Sequence, residues 1–391
     1  MTAPESTSPR KRIVGLFPEL LGVGGIQEAG RLTTKALSEI ASRHVWSTDF
    51  LSLNDPPGSH LLEGDGRSIT IRGFGRAKIS FVISAIGRVR SATKDGTPIV
   101  LAGHPNLAVP ADWMRRTSPR AKTIVMAHGM EVWKPLPSFR RRALLRADLV
   151  LAPSRDTVQK LIDVQGLAPE KIRRLAWPLS ATFLRMADAP AGLPLPPAFP
   201  QAGLVILTVG RWVSSERYKG ADELIRAIAQ LQIAVPSLQL VAVGGGDDLS
   251  RLRELAIGLG VADRVHFLEN LSREEVAACY ARADLFALPS TGEGFGLVYL
   301  EAMAFSRAVV GVACGGTTDI VEDGVNGLLV PPHGADALAH TLGRLLGDEP
   351  LRTQLGKRGA EIVRRKYDFG AFRTELERIL FDSILREQAM A

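Results

Sequence analysis

One short stretch, residues 290–304 (STGEGFGLVYLEAMA), constrains the fold more than any other part of the chain. It follows an apolar run, residues 284–289, that ends at a proline and is typical of a short buried strand. Three glycines around Glu293 then predict a tight turn, and the residues from Leu297 onward predict a helix. A glycine-rich turn that leads into a helix N-terminus presents backbone N–H groups and a positive dipole end, which favour an anion. The stretch therefore predicts a strand–turn–helix unit with a phosphate site.

Two carboxylates flank this anion site, Glu293 in the turn and Glu301 eight residues later on the helix. Beside a phosphate they would repel the ligand unless they bind another part of it. A carboxylate accepts hydrogen bonds and can take two neighbouring hydroxyl donors at once. The stretch thus indicates a site for a phosphorylated sugar. The alternative is that Glu293 is a solvated loop charge and Glu301 an ordinary helix residue.

The spacing of the two glutamates resembles the E-x7-E signature of retaining glycosyltransferases of the two-domain GT-B type, especially glycosyltransferase family 4 (group 1). The resemblance implies an α/β fold with two Rossmann-like doubly wound domains that face a crevice. It also implies that Glu293 contacts the donor sugar and that Glu301 binds the nucleotide ribose. The donor-binding residues of this stretch would be Glu293, Gly294, Phe295, Gly296, Leu297 and Glu301.

A second glycine-rich turn follows the first predicted strand, residues 13–17, and precedes an amphipathic helix. This is the opening of a doubly wound domain. The third glycine of a dinucleotide fingerprint would fall at Gln27, which disfavours NAD. In the resembling family a Gly-Gly loop at this place lies under the donor's diphosphate and sugar. Gly24 and Gly25 match that loop, since only glycine lets the backbone approach a ligand so closely.

Two further predicted strands, residues 97–102 and 123–127, each lead to a histidine, His104 and His128. Ligands of open α/β sheets bind beyond the carboxyl ends of the strands, so both histidines are placed for function, although a histidine there can also be structural. The context of His128 resembles the family's H-G-x-E element, whose histidine reaches the donor sugar. We therefore expect His128 to take part in the reaction.

The strand–helix pattern restarts at residue 204, and Arg211 and Lys219 follow the first strand of this second domain. Either residue alone could be a solvated loop charge. As a pair they resemble the family's Arg/Lys pair, which supports departure of the nucleoside diphosphate. The sequence has no D-x-D motif and no His/Cys cluster with ligand spacing. We therefore expect no metal and no cofactor beyond the nucleotide sugar as co-substrate. Arg211 and Lys219 would stabilise the leaving diphosphate, and the catalytic candidates are these two residues together with Glu293 and His128.

Domain boundaries follow from the breaker residues. Residues 187–203 contain five prolines and predict the interdomain linker. Residues 177–180 (WPLS) depart from the Asn-Gly-Val-Asp type of turn that is usual in the family. The expected organisation is a disordered N-terminus at 1–12, an N-terminal Rossmann-like acceptor domain at 13–186, the linker, a C-terminal Rossmann-like nucleotide-sugar domain at 204–368, and a final helix at 369–391 that packs back on the N-terminal domain.

The net charge of +7 is unevenly distributed. Residues 1–200 contain 28 Lys and Arg against 16 Asp and Glu, and the remainder contains 20 against 25. The first half is therefore expected to meet an anionic partner. Its segment 76–94 interleaves basic and apolar residues, so it is either a helix on an anionic membrane surface or a surface helix packed on the sheet. Sparse aromatic residues around the basic clusters disfavour nucleic acid.

The cellular location follows from the N-terminus and the cysteines. Residues 1–12 contain no apolar core segment, so we expect neither a signal peptide nor an anchor. Cys279 and Cys314 lie in apolar surroundings and indicate reduced thiols. We expect a cytoplasmic protein, with peripheral attachment at the inner membrane face as an alternative.

Together the motifs imply a retaining, metal-independent glycosyltransferase that moves a hexose from a GDP- or UDP-linked donor to a glycan or lipid-linked acceptor. Two alternatives belong to other classes. One is a nucleotide-sugar epimerase of GT-B-like fold, in which carboxylates and a histidine act as acid and base on the sugar ring. The other is a non-catalytic nucleotide-sugar-binding partner. Such a protein would not need all five of the polar site residues, which are His128, Arg211, Lys219, Glu293 and Glu301.

Overall fold

The computed structural model describes residues 11–62 and 68–385. The chain divides into two compact units. Unit 1 comprises Met1–Pro178 together with the segment from Phe369, and unit 2 comprises Leu179–Asp368. Most of the N-terminal segment expected to be disordered, residues 1–10, lies outside the described residues, whereas Arg12 already begins the first strand.

The secondary structure alternates strands and helices through both units. The strands are β1 (Arg12–Phe17), β2 (Ser47–Ser52), β3 (Gly58–Leu62), β4 (Ile69–Gly73), β5 (Ile99–Ala102), β6 (Lys122–Met126), β7 (Leu149–Ala152), β8 (Ile172–Arg174), β9 (Val205–Val209), β10 (Gln239–Val243), β11 (Val265–Leu268), β12 (Leu285–Leu288), β13 (Ala308–Val312) and β14 (Leu328–Val330). The helices are α1 (Gly25–Arg43), α2 (Lys78–Asp95), α3 (Ala108–Thr117), α4 (Ser138–Arg146), α5 (Arg155–Asp163), α6 (Ala181–Asp188), α7 (Ala221–Leu231), α8 (Leu249–Gly258), α9 (Arg273–Arg282), α10 (Leu297–Ala304), α11 (Thr317–Ile320), α12 (Ala335–Gly347), α13 (Glu349–Lys366) and α14 (Phe369–Leu380).

Unit 1 is built on an eight-stranded sheet with the order β3-β4-β2-β1-β5-β6-β7-β8. Its strands pair in parallel, except that β3 pairs antiparallel with β4 at one edge. Central strands such as β5 and β7 are buried at every position. Such uninterrupted apolar runs are expected where helices cover both faces of a parallel sheet. From Phe369 the chain returns to this unit as α14, which packs on α1 with an ion pair of 2.6 Å between Arg373 and Glu39.

Unit 2 is a six-stranded parallel sheet with the order β11-β10-β9-β12-β13-β14. From β9 the chain adds β10 and β11 on one side of the sheet. It then returns and adds β12, β13 and β14 on the other side. This is the strand order of a doubly wound dinucleotide-type domain, whose ligands bind where the order reverses. In unit 2 that point lies beyond the carboxyl ends of β9 and β12.

The proline-rich segment expected as a linker, residues 187–203, lies within unit 2. The helix that precedes most of it, α6, contacts α9 and α10 of the same unit, and Phe199 inside the segment is buried. Proline fixes the backbone without requiring disorder, so a dense run can also form an ordered irregular segment. The chain crosses between the units at Pro178–Leu179 and again at Asp368–Phe369.

Candidate active site

Three of the predicted site residues follow the two strands at which the order of the unit 2 sheet reverses. Arg211 and Lys219 follow β9, and Glu293 follows β12. The predicted strands that precede them are confirmed, at Val205–Val209 and Leu285–Leu288. Because neighbouring parallel strands end at the same sheet edge, the sequence-distant cations and carboxylate come together there.

Backbone contacts hold the loop after β9 against the turn after β12. Thr291 N donates to Tyr218 O at 2.9 Å. Gly220 has φ +76°, and a Cβ at that position would lie 2.5 Å from Pro289 O. A Cβ at Gly292 would likewise lie 2.6 Å from the Tyr218 ring. These close approaches require glycine, and they fix Lys219 beside the turn that contains Glu293.

The side chains at this point form a charge cluster of Arg211, Glu216, Lys219 and Glu293. Lys219 Nζ lies 3.6 Å from Glu293 Oε1 and 3.7 Å from Glu216 Oε2. The other Glu216 oxygen accepts from Arg211 Nη2. The Lys219, Glu216 and Glu293 side chains are only 17%, 15% and 14% exposed, whereas Arg211 is 72% exposed. Two cations and two carboxylates therefore neutralise one another at a largely shielded position.

Tyr218 forms one wall of this charge cluster. Lys219 Nζ lies 5.9 Å from the centre of its ring, a cation–π distance. Burial raises the pKa of the Tyr218 hydroxyl, and the nearby Glu216 and Glu293 carboxylates raise it further. The hydroxyl therefore stays protonated at neutral pH and can act as a hydrogen-bond donor.

The glycine-rich turn presents backbone to the site. Gly296 adopts φ +93° at the start of α10, and within the described chain no side chain caps this helix N-terminus. Gly316 N donates to Glu293 O at 2.7 Å, and a Cβ at Gly316 would lie 2.4 Å from Gly294 O. The Phe295 ring is buried, with its centroid 6.1 Å from that of Tyr367. Residues 294–297 can thus offer a ligand backbone N–H groups at the positive end of a helix.

Glu301 lies on α10 outside the charge cluster. Its Oε2 accepts from the hydroxyl of Tyr280, on α9, at 2.9 Å. Burial raises the pKa of Tyr280 well above its ordinary value, and Glu301 adds to the increase, so the hydroxyl remains a donor. This bond orients the Glu301 carboxylate. A carboxylate can accept several hydrogen bonds, so Glu301 can also accept from ligand hydroxyls.

In unit 1, Gly24 and Gly25 lie where the chain leaves β1 and enters α1. Gly24 has φ +144°, and α1 begins at Gly25. The preceding loop is held by Arg31, whose Nη1 donates to Leu20 O at 2.8 Å and to Gly22 O at 2.7 Å. The loop therefore has a fixed shape before any ligand binds.

His128 follows β6 in unit 1 and is hydrogen-bonded on two sides. Its Nε2 donates to Gly103 O at 2.8 Å, because a carbonyl can only accept, and its backbone N–H donates to Glu131. The ring centroid of His104 lies 5.9 Å away, and Asn106 N donates to His104 Nδ1 at 3.1 Å. Burial lowers the pKa of His104 to about 4, so His104 is neutral at neutral pH. In a neutral imidazole, a proton on Nε2 leaves Nδ1 as an acceptor.

Four residues that contact the predicted site residues were not among the candidates from the sequence. Glu216 pairs with both cations, Tyr218 packs its ring against Lys219, Tyr280 donates to Glu301, and Trp177 packs its ring 5.4 Å from His128. Of these, only Trp177 was marked by the sequence, because it lies in the segment 177–180 that departs from the family's usual turn. The structure also describes no group of three or more His, Cys, Asp or Glu side chains that could hold a metal ion in the ranges 11–62 and 68–385.

Solved structures with a similar fold are glycosyltransferases of the GT-B type. HepE from Anabaena, in complex with UDP, superposes with a TM-score of 0.70 at 19% identity, over 94% of this chain and 99% of that one. Sucrose-phosphate synthase from Thermosynechococcus elongatus gives a TM-score of 0.73 at 23% identity, over 97% and 99%. At these identities the likeness concerns the fold, and the fold is that of a GT-B protein, as the sequence predicted.

Two family models match the chain. One, described as glycosyl transferases group 1, matches residues 196–362, and the other, glycosyltransferase family 4, matches residues 44–176. The first range contains the whole charge cluster and the glycine-rich turn. The chain belongs to the group 1 glycosyltransferases of family 4.

Curated relatives carry the name D-inositol 3-phosphate glycosyltransferase. The one from Acidothermus cellulolyticus is 33% identical over 290 residues, which cover 69% of this chain and 58% of that protein. The one from Salinispora tropica is 42% identical over 179 residues, which cover 44% and 36%. The chain therefore spans less than two thirds of the length of these relatives.

Proposed function

We propose that the protein is a retaining, metal-independent glycosyltransferase that moves a hexose from a UDP- or GDP-linked donor to a glycan or lipid-linked acceptor. The observation that carries the proposal is the charge cluster at the strand-order reversal of unit 2, with Lys219 Nζ 3.6 Å from Glu293 Oε1. A sugar diphosphate needs cations for its phosphates and carboxylates for its hydroxyls, and this cluster offers both beside a helix N-terminus.

The proposed roles follow from charge and position. Lys219 and Arg211 bind the diphosphate, while Glu293 accepts from hydroxyls of the hexose. Glu301, which accepts from the Tyr280 hydroxyl, binds the ribose diol in this proposal. In the reaction the bond from the anomeric carbon to the phosphate oxygen breaks, and the acceptor hydroxyl oxygen bonds to that carbon. Negative charge grows on the diphosphate as the bond breaks, so its cations act mainly in the transition state.

Retention by double displacement would need a carboxylate nucleophile on the sugar face opposite the leaving group. We propose attack from the same face instead, with the departing phosphate oxygen accepting the proton of the acceptor hydroxyl. His128 then needs no change of protonation. Its Nδ1 accepts from a sugar hydroxyl, since Nε2 is already bonded to Gly103 O.

A transfer assay tests this function. The protein is incubated with UDP-, GDP- and ADP-linked hexoses and with a panel of acceptors, to which the names of the relatives add a phosphorylated inositol. Mass spectrometry should detect an acceptor enlarged by one hexose with at least one donor. Altered sugar on the nucleotide, with no acceptor product, would favour an epimerase. Donor binding without any turnover would favour a non-catalytic partner.

A membrane role is proposed from helix α2 of unit 1. One side of α2 packs into the core through Phe81 and Val89, so the helix is packed on the sheet. Its outer side exposes two isoleucines one turn apart, Ile79 at 78% and Ile83 at 65%, with Lys78 exposed beside them. Apolar side chains next to cations suit the interface of an anionic membrane. None of the described helices is long and apolar enough to cross a membrane.

Vesicle flotation tests this membrane role. The wild-type protein should float with anionic vesicles at low salt and less so at high salt, because the attraction is screened. Replacing Ile79 and Ile83 with serine should reduce flotation. Ile233→Ser is the matched control, since Ile233 is 88% exposed but lies in unit 2. Absence of flotation by the wild type at low salt would point to an acceptor in solution.

A further inference from the structure

Glu216 pairs with both cations that the proposed function assigns to the donor's diphosphate. One of its oxygens accepts from Arg211, and the other lies 3.7 Å from Lys219 Nζ. Both cations assigned to the phosphates are thus already paired with one side chain of the chain itself. Glu293 adds a second carboxylate at 3.6 Å from Lys219, so the charge cluster has no net charge.

The surroundings of Glu216 leave part of its carboxylate poorly satisfied. Glu216 Oε2 is buried and has no hydrogen-bond partner of good geometry among the described residues, since 3.7 Å to Lys219 Nζ is an ion-pair distance but too long for a hydrogen bond. The neighbouring Tyr218 hydroxyl is the neutral donor that interacts with the Glu216 side chain. Leaving a buried acceptor without a donor is costly. The short 3₁₀ turn that contains it, Ser214–Lys219, is also interrupted at Glu216, where φ is −118° and ψ is 30°. The Glu216 carboxylate is therefore held in place mainly by its ion pairs with Arg211 and Lys219, and its hydrogen bonds are incomplete.

A diphosphate cannot gain the full attraction of Arg211 and Lys219 while Glu216 remains between them. Charge–charge interactions of equal distance have equal size, so a retained carboxylate would repel each phosphate about as strongly as one cation attracts it. Displacing Glu216 into solvent removes this repulsion and leaves two cations for the ligand. Glu293 does not have to leave, because its proposed partner is a sugar hydroxyl.

We propose that Glu216 is an exchangeable counter-ion for the diphosphate, an inference that rests on the proposed function. In the unliganded protein it holds Arg211 and Lys219 in place; it gives way when the diphosphate binds and returns when the nucleoside diphosphate leaves. Glu216 thereby weakens binding of donor and product alike and favours product release. It is a positioning residue for the two cations and has no contact with the reacting sugar.

Calorimetric titration with inorganic pyrophosphate, UDP and GDP tests this role. Glu216→Gln and Glu216→Ala should each bind all three about tenfold more tightly than the wild type, with a steeper loss of affinity as salt is added. Uridine and guanosine have no phosphate and should be unaffected by either change. Glu375→Gln is the matched control, because it removes the same charge from an exposed ion pair with Arg378 in unit 1.

A structural role alone predicts the opposite sign. If Glu216 mainly positions the two cations throughout the reaction, both variants will bind pyrophosphate more weakly, and equal or weaker binding overturns the inference. Absence of measurable pyrophosphate binding by the wild type and by both variants overturns it as well. None of these readouts requires glycosyl transfer. A wild type that transfers hexose while Glu216→Gln binds pyrophosphate unchanged would therefore reject the counter-ion role alone.

Discussion

Lys219→Ala should lower kcat by about 10²–10³-fold, whereas donor affinity should fall far less. The reason is that charge on the diphosphate increases as the glycosidic bond breaks, so the loss of a largely shielded cation is felt mainly in the transition state. Arg211→Ala should also lower kcat but by a smaller factor, because the Arg211 side chain is 72% exposed and that of Lys219 only 17%. Water and salt screen the more exposed charge.

Steady-state kinetics with the donor varied separates these effects. Arg217→Ala is the matched control, since Arg217 belongs to the same 3₁₀ turn but pairs with Asp248, 3.4 Å away. All variants are assayed with EDTA present, and the wild type should keep its activity. A Lys219→Ala enzyme that behaves like Arg217→Ala would remove Lys219 from the reaction. Loss of activity in EDTA with recovery in Mg²⁺ or Mn²⁺ would contradict the metal-independent mechanism.

Glu301→Ala should weaken donor binding by roughly 1–3 kcal/mol, because the ribose diol loses its acceptor. The change also leaves the buried Tyr280 hydroxyl without the carboxylate that lies 2.9 Å away. Tyr280→Phe keeps the carboxylate but releases it from this bond, so it should weaken binding to a smaller extent. The turnover of saturated enzyme should change little for either variant, since ribose binding is the same in ground and transition states.

Titration with a nucleoside diphosphate and its 2′-deoxy analogue locates this effect. The wild type should prefer the ribose form, and Glu301→Ala should lose most of that preference. Glu274→Ala, on the exposed side of α9, provides the matched control for the loss of one carboxylate. An unchanged preference for ribose in Glu301→Ala would show that this carboxylate binds another part of the ligand.

Local patterns were sufficient to predict the strand–turn–helix units. Pro289 ends the apolar run of β12, and glycines precede α10, so the turn with Glu293 could be placed from neighbouring residues alone. Two strands lack such a local signal. β3 is an edge strand that is largely exposed, and β14 has only three residues, so neither has the long apolar run of a buried strand. The first crossing between the units, at Pro178–Leu179, lies before the proline-rich segment, because proline content does not distinguish a linker from ordered irregular backbone.

The partners of the site residues could not be predicted, because tertiary packing decides them. Tyr280 and Glu301 are 21 residues apart and meet only where α9 and α10 pack together. Glu216 lies in a loop whose sequence predicts several solvated charges, and its pairing with two cations depends on how that loop folds onto the turn after β12. The family resemblance identified the cations and carboxylates by position, whereas the neutral balance of the charge cluster appears only in the structure.

The most direct test of the proposed reaction is an NMR assignment of the product anomer, made on a reaction with the donor that the transfer assay identifies. A retaining transfer predicts a new glycosidic linkage whose anomeric configuration matches that of the donor. An inverted linkage would contradict retention and would require a general base, with His128 the first candidate. Signals of free hexose or of an epimerised nucleotide sugar, without a new linkage, would contradict glycosyl transfer itself.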